Sequence, residues 1–298
     1  MLYGRQKTLL ALLVAFGGSL NRLDFQKLLF LFCQEQGPTR SYEFIPYRYG
    51  GFSFTSYADR RRLINQGLLA DEEHLWKLTQ AGRRAAAVTP TVRQKLAAFA
   101  RQHEKLRGDA LVAEAYRRYP YYAIRSEMAE SLFRKDEHSM AAVLAARPPQ
   151  GKAGICTIGY EGRSLESYLN CLIVTGVDLL CDVRRNPLSR KYGFSRSTLI
   201  QACEGVGIRY EHLPELGIAA EERRGLNSQA AYDSLFKTYR HETLRGQQKA
   251  LARIREWVDQ GKHVALTCFE AQPLQCHRHC VANALQEQFG TAFAPTHL

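Results

Sequence analysis

Residues 262–280 have the sequence KHVALTCFEAQPLQCHRHC, and this stretch decides the predicted fold of the carboxyl-terminal half. Its residues 264–267, VALT, are apolar with a β-branched bias and predict a short buried strand. Cys268 and Glu270 follow at the carboxyl end of this strand, and a helix is predicted over residues 276–289. Ligands bind outside the carboxyl ends of parallel strands, and helix N-termini attract anions. The stretch therefore predicts a functional site as well as a strand.

The same alternation of strand and helix runs through the whole carboxyl-terminal half. Apolar runs predict strands at 155–160, 178–183 and 208–213, and a long helical stretch is predicted over 229–260. Repeated strand–helix units favour a parallel sheet with right-handed crossovers. We therefore predict the α/β fold class, with a Rossmann-like parallel sheet in this half.

Polar side chains collect where these predicted strands end. Because the loops after parallel strands open on one edge of a sheet, we expect these side chains to converge on one site. The candidate catalytic residues are Tyr160, Asp182, Glu270, Cys276 and His277. The candidate phosphate- or substrate-binding residues are Arg184, Arg185, Ser189 and Arg278.

The residue types suit an anionic substrate. The guanidinium groups of Arg184 and Arg278 would bind a phosphate or a carboxylate. Glu270 or Asp182 would act as a general base or stabilise a cationic intermediate, and a helix N-terminus would lower the pKa of the Cys276 thiol. These groups suit cleavage of an N-glycosidic bond or hydrolysis of a modified nucleotide unit. The alternative is structural: an ion pair of Asp182 with an arginine, and a purely local role for Cys276.

Metal and cofactor sites are not favoured by the spacing of the ligand-type residues. Cys268, Cys276, His277 and Cys280 form the pattern C-x7-C-H-x2-C, which lacks the paired CxxC knuckles of structural zinc sites. The chain has no Walker A loop, and the GYEG sequence at 159–162 is not a dinucleotide fingerprint. We therefore predict neither a metal nor a cofactor.

Four blocks of this half carry a family resemblance. They are TIGYEGRSLESYL at 157–169, CDVRRNPLSRKYGFS at 181–195, GIRYEHLPELG at 207–217 and LTCFEAQPLQCHRHCVA at 266–282. In this order they resemble the DUF488 family over residues 154–288 or so. The resemblance implies a fold and a site, but it names no reaction.

The amino-terminal half has a different pattern. Three predicted helices followed by a predicted hairpin, 68–70 with 75–78, are typical of a winged helix over residues 1–88. The candidate recognition helix is 55–66, and its candidate nucleic-acid-binding residues are Arg60, Arg61 and Arg62. The alternative is that these arginines form the solvated face of a packed helix.

A second resemblance lies in the same region. The segments LDFQKLLFLF, YEFIPYRYGGFS, LINQGLL and KLTQAG resemble Panacea/SocA-type domains over about the first 85 residues. That family implies antitoxin or proteolytic-adaptor roles. Residues 89–147 are predicted to be a helical connector, and the Arg-Pro-Pro-Gln-Gly sequence from residue 147 predicts a linker before a domain at 148–298.

Charge and cysteine content indicate the partner and the compartment. The formal net charge is +12, and residues 1–150 carry 23 Lys and Arg against 14 Asp and Glu. This imbalance favours binding of nucleic acid, DNA above all, by the amino-terminal half. No apolar run is long enough to span a bilayer, so no membrane partner is predicted. Eight dispersed cysteines favour reduced thiols in the cytoplasm.

The sequence thus predicts a nucleic-acid-acting hydrolase, for DNA repair or for processing modified nucleotides, with a DNA-binding amino-terminal module. The competing hypothesis is a non-catalytic DNA-binding regulator or antitoxin-like adaptor, whose α/β domain senses a small ligand.

Overall fold

The computed structural model describes residues 1–37, 40–219, 221–223 and 226–298. The chain divides into two compact units, Met1–Arg147 and Pro148–Leu298.

The first unit is mainly helical, with two small antiparallel sheets. Its elements are α1 Gly4–Ala15, β1 Ser19–Asn21, α2 Arg22–Glu35, β2 Ile45–Tyr47, β3 Gly50–Phe52, α3 Phe54–Asn65, β4 Leu75–Lys77, α4 Gln80–Ala85, α5 Pro90–Gln102, α6 Gly108–Arg118, α7 Ala129–Leu132 and α8 Glu137–Ala145. The side chains of Asn21, Ser53 and Thr79 accept hydrogen bonds from backbone N–H groups at the starts of α2, α3 and α4. Such caps satisfy donors that a helix leaves open, which explains where these helices begin.

The sheets of the first unit differ from the predicted hairpin. β4 pairs with β1, and the predicted hairpin partner contributes only a single bridge between Leu69 and Leu78. The reason is burial of Trp76, which stacks on Phe25 with ring centroids 4.0 Å apart. A second hairpin, β2 with β3, was not predicted; its tight turn needs Gly50, whose φ is +83°.

Residues 89–147, predicted as a connector, pack into the same core as the preceding helices. The rings of Phe99 and Phe32 lie 5.3 Å apart in an edge-to-face contact, and Leu96, Leu111 and Tyr116 are buried in the same cluster. The apolar faces of these helices have to be buried, and they are buried against residues 1–88.

The second unit is an α/β fold with a five-stranded parallel sheet. Its strands are β5 Gly154–Gly159, β6 Leu179–Asp182, β7 Arg209–His212, β8 His263–Cys268 and β9 Thr296–His297, and their order in the sheet is β7-β6-β8-β5-β9. Its helices are α9 Leu165–Val174, α10 Arg196–Glu204, α11 Gln229–Thr238, α12 Gln248–Asp259 and α13 Arg278–Phe289. Within the described ranges of the chain, no helix combines the length and the apolar character that crossing a bilayer needs.

Two features of this unit differ from the sequence prediction. The short edge strand β9 was not predicted, because two residues are too few to show the alternating pattern of a strand. The predicted helical stretch 229–260 is interrupted by a π-helical turn at Tyr239–Thr243 and a 3-10 turn at Leu244–Gly246. The buried Tyr239 hydroxyl donates a hydrogen bond to the Leu216 carbonyl oxygen at 2.6 Å, which fixes the interruption.

Candidate functional site

The site lies at the carboxyl ends of the central strands. β8 sits between β6 and β5, so that Asp182 pairs with Thr267 and Gly159 with Cys268. The loops after these strands surround a cavity of about 340 Å³. It is lined by Tyr160, Arg184, Arg185, Asn186, Leu188, Ser189, Arg190, Ile218, Arg223, Cys268, Phe269 and His277.

Asp182 and Arg184 form a buried ion pair beneath this cavity. The Arg184 Nε atom donates to Asp182 Oδ1 at 2.8 Å, and the Asp182 carboxylate also accepts hydrogen bonds from the Arg184 backbone N–H and the Tyr210 hydroxyl. Burial alone would lower the pKa of the Arg184 guanidinium, but its hydrogen bonds and charge interaction with Asp182 raise it. Asp182 is fully buried and its oxygens are occupied, so its placement supports the structural alternative over a general base.

Tyr160 continues the same network. Its hydroxyl accepts a hydrogen bond from Arg184 Nη1 at 2.9 Å, and its ring stacks on Phe194 with centroids 4.3 Å apart. Arg184 Nη1 also donates to the Phe194 carbonyl oxygen. Because most of its donors are held by Asp182, Tyr160 and Phe194, Arg184 shapes the wall of the cavity and is not a free clamp for an anion.

Glu270 lies close to the cavity wall. Its carboxylate forms an ion pair with Arg223, and Glu270 is only 6% exposed. Arg278 holds the backbone of the same residue: Nη1 donates to the Glu270 carbonyl oxygen and Nη2 to the Ala271 carbonyl oxygen at 2.9 Å. Arg278 is fully buried, so the structure places it behind Glu270 as a positioning group and not at the cavity wall.

Three further polar side chains meet beside Glu270. Cys268 Sγ lies 3.5 Å from Glu270 Oε2 and 3.8 Å from His277 Nδ1, and His277 Nε2 lies 2.9 Å from the Val183 carbonyl oxygen. A hydrogen bond from Cys276 and the charge of Arg223 lower the pKa of the Cys268 thiol against the effect of burial. Burial raises the pKa of Cys276, so the expectation of a lowered pKa at that thiol is wrong. The residue at the strand end carries the more acidic thiol.

The structure brings most of the predicted site residues together. Tyr160, Arg184, Arg185, Ser189 and His277 line the cavity. Sequence reasoning missed Arg190, Arg223 and Cys268 as lining residues. Arg190 belongs to the quoted SRKYGFS segment and could have been included; Arg223 lies in a 3-10 turn, Glu221–Arg223, that no sequence pattern connects to β8.

The three arginines of α3 do not share one environment. Arg60 donates to the Glu72 carbonyl oxygen at 2.5 Å and the Leu75 carbonyl oxygen at 3.2 Å, and its guanidinium lies over the Trp76 ring. Arg61 and Arg62 are exposed. Only the latter two keep the exposure that a phosphate contact requires.

The second unit has a match among known protein families. A family model described as "Domain of unknown function DUF488" matches residues 164–285. This match supports the DUF488 family for the region that holds the cavity, and residues 148–298 are called the DUF488-like unit below. No curated protein and no solved structure matches the chain. The family description states no reaction.

Proposed function

We propose that the DUF488-like unit is a hydrolase for a phosphorylated, nucleotide-like substrate, and that Glu270 is its acid–base group. The observation that carries this proposal is the pairing of a nearly buried carboxylate, Glu270, with Arg223 beside a cavity that also presents Arg185 and Arg190. A carboxylate held by a cation next to a basic cavity is suited to proton transfer on an anionic substrate.

The cavity has the size and charge for such a substrate. Its volume of about 340 Å³ lies in the range of small-molecule sites, roughly 300–1,000 Å³. Arginine forks match the oxygens of a phosphate, and the side chains of Arg185 and Arg190 stand at the wall. Phe269 and Tyr160 add aromatic surface against which a base or sugar would pack.

The hydrolytic step places a water molecule next to the Glu270 carboxylate. The carboxylate takes a proton from water as the oxygen attacks the sugar carbon or the phosphorus atom, and the scissile C–N or P–O bond breaks with its electron pair leaving on the departing group. The proton then passes from Glu270 to that group. The ion pair with Arg223 holds the Glu270 carboxylate in place before the attack.

The first unit would deliver the enzyme to nucleic acid. We propose that it is a winged-helix module, because β1 pairs with β4 around the helices α2 and α3 and because α3 exposes Arg61 and Arg62. The excess of basic residues in the first 150 positions supports DNA as the polymer. Eight free cysteines fit the reducing cytoplasm as the site of action.

The test uses the full chain with single- and double-stranded DNA carrying damaged or modified bases, with RNA, and with free nucleotides. Products are identified by mass spectrometry. We expect the wild type to turn over at least one class of substrate. The rate of turnover should fall by about 10²–10⁴-fold in Glu270→Gln and stay unchanged in Glu256→Gln, whose side chain lies on the exposed face of α12. Absence of turnover across all classes would contradict the proposed hydrolase and favour the alternative, a non-catalytic regulator that senses a ligand.

A further inference from the structure

Three side chains in the DUF488-like unit form a compact set of metal-ligand atoms. Cys268 Sγ, Cys276 Sγ and one ring nitrogen of His277 all lie within 4.8 Å of one another. The three residues are at most 2% exposed. Two sulfur atoms and one imidazole nitrogen are the donor set of zinc and similar transition-metal ions.

The separation of the donor atoms suits a tetrahedral ion. Metal–sulfur bonds of about 2.3 Å and metal–nitrogen bonds of about 2.0 Å place tetrahedral ligand atoms about 3.5–3.8 Å apart. Cys268 Sγ and His277 Nδ1 are 3.8 Å apart. Cys268 and His277 are thus already at the separation of two tetrahedral ligands, and Cys276 Sγ lies within 4.8 Å of both.

A hydrogen bond holds the ring of His277 in the orientation that a metal ligand needs. Its Nε2 atom lies 2.9 Å from the Val183 carbonyl oxygen, which can only accept a hydrogen bond. In the neutral ring Nε2 therefore carries the proton, and Nδ1 turns its lone pair towards the two sulfur atoms. A backbone carbonyl that fixes the second ring nitrogen is the usual support of a metal-binding histidine.

We propose that Cys268, Cys276 and His277 bind one transition-metal ion, with zinc as the best match to their donor set. Two thiolates and a neutral imidazole balance the charge of a divalent ion, so the buried group would be neutral overall. Cys280 belongs to the same C-x7-C-H-x2-C pattern but is not part of this set. The structure directs its Sγ to the ring of His279 at 3.4 Å and to Arg240 at 3.9 Å instead.

Three protein ligands leave a fourth position open, as in catalytic zinc sites. Cys268 and His277 both line the cavity, so the open position would face the space where the substrate binds. Glu270, whose Oε2 is 3.5 Å from Cys268 Sγ, is near enough to contact a water molecule at that position. Metal binding needs no substrate, so it is tested separately from the proposed hydrolysis.

The experiment begins with wild-type full-length protein stripped by a chelator under reducing conditions. Competition with a chromophoric chelator should show one zinc ion per chain, and cobalt should give the intense near-ultraviolet absorption of thiolate ligands. X-ray absorption of the zinc-loaded wild type should show two sulfur neighbours at about 2.3 Å and nitrogen or oxygen in the remaining positions. This measurement uses the wild type alone, so a folding defect in a variant cannot affect it.

Variants then assign the ligands. Cys268→Ser, Cys276→Ser and His277→Gln should each weaken zinc binding by about 100-fold or more, while Cys280→Ser, the matched control, should keep it. Circular dichroism verifies that each variant is folded. Failure of the wild type to bind a stoichiometric ion, absence of sulfur in the metal's shell, or an equal loss in Cys280→Ser would overturn the proposal.

Discussion

The side chain of Arg184 grips the carboxylate of Asp182 at two points, Nε to Oδ1 at 2.8 Å and Nη2 to Oδ2 at 2.5 Å. Both residues are buried, and they are two positions apart at the end of β6. The Arg184 backbone N–H also donates to Asp182 Oδ1 at 3.1 Å, so the pair holds the start of the loop that carries the cavity-lining residues Arg185 and Ser189. Asp182 is enclosed beneath the cavity, whereas Arg184 forms part of its wall.

The first prediction concerns this pair. Asp182→Asn leaves the Arg184 charge buried without its counter-ion, and the free energy of unfolding should fall by about 3–5 kcal/mol. Urea denaturation followed by circular dichroism measures the change. Asp259→Asn is the control, because its exposed ion pair with Arg255 should contribute less than about 1 kcal/mol. Similar losses in the two variants would contradict the structural role of Asp182.

The second prediction concerns the basic wall of the cavity. Arg185→Ala and Arg190→Ala should each weaken binding of inorganic phosphate or a nucleoside monophosphate by about 5–30-fold, because each removes a charged donor worth roughly 1–2 kcal/mol. Isothermal titration calorimetry at two salt concentrations measures the affinity and its dependence on salt. Arg255→Ala on α12 is the control, and a weakening as large in that variant would show that only the net charge matters.

The third prediction is a dependence of stability on pH that arises in the first unit. Burial lowers the pKa of Lys27 to about 7, and the described contacts give its ammonium one hydrogen bond, to the Gly51 carbonyl oxygen at 3.3 Å. Between pH 7 and 10 the unfolded chain keeps a proton that the folded one releases, so stability should rise with pH, by about 2–3 kcal/mol from pH 7 to 9. Below pH 7 both states are protonated and this contribution becomes constant.

Lys27→Met tests this assignment by removing the titrating group. A Trp257→Phe background leaves Trp76 as the tryptophan that reports unfolding of the first unit. In the Met variant, the free energy of unfolding at pH 7 should increase and the rise between pH 7 and 9 should shrink. A slope that is unchanged by Lys27→Met would assign the pH dependence to other groups.

The fourth prediction separates the arginines of α3. Arg61→Ala and Arg62→Ala should weaken DNA binding and lower its salt dependence, because each removes an exposed charge available to a phosphate. Arg60→Ala should chiefly reduce stability, since its guanidinium satisfies the Glu72 and Leu75 carbonyl oxygens. Fluorescence anisotropy with a labelled duplex and thermal unfolding distinguish the two effects. DNA affinity unchanged in both exposed variants would remove α3 as the contact surface.

The sequence predicted the class of the second unit because its signals are local. Buried strands such as β8 are short apolar runs that can be recognised from a few consecutive residues. The polar residues after β5, β6 and β8 could be grouped because parallel strands end on one edge. For the same reason Tyr160, Arg184 and His277 were identified as neighbours.

Which of these side chains face the cavity was decided by tertiary structure alone. Asp182 and Arg278 are spent on internal hydrogen bonds, while Arg223 reaches Glu270 from a turn 47 residues earlier in the chain. Cys268, Cys276 and His277 come together although their spacing in the sequence favoured no metal site, and Cys280 lies outside this set. The order of residues along the chain shows which groups follow a strand. The direction in which each side chain points depends on the partners that tertiary packing brings next to it. Those partners come from distant segments, and their identity becomes known only when the chain is folded.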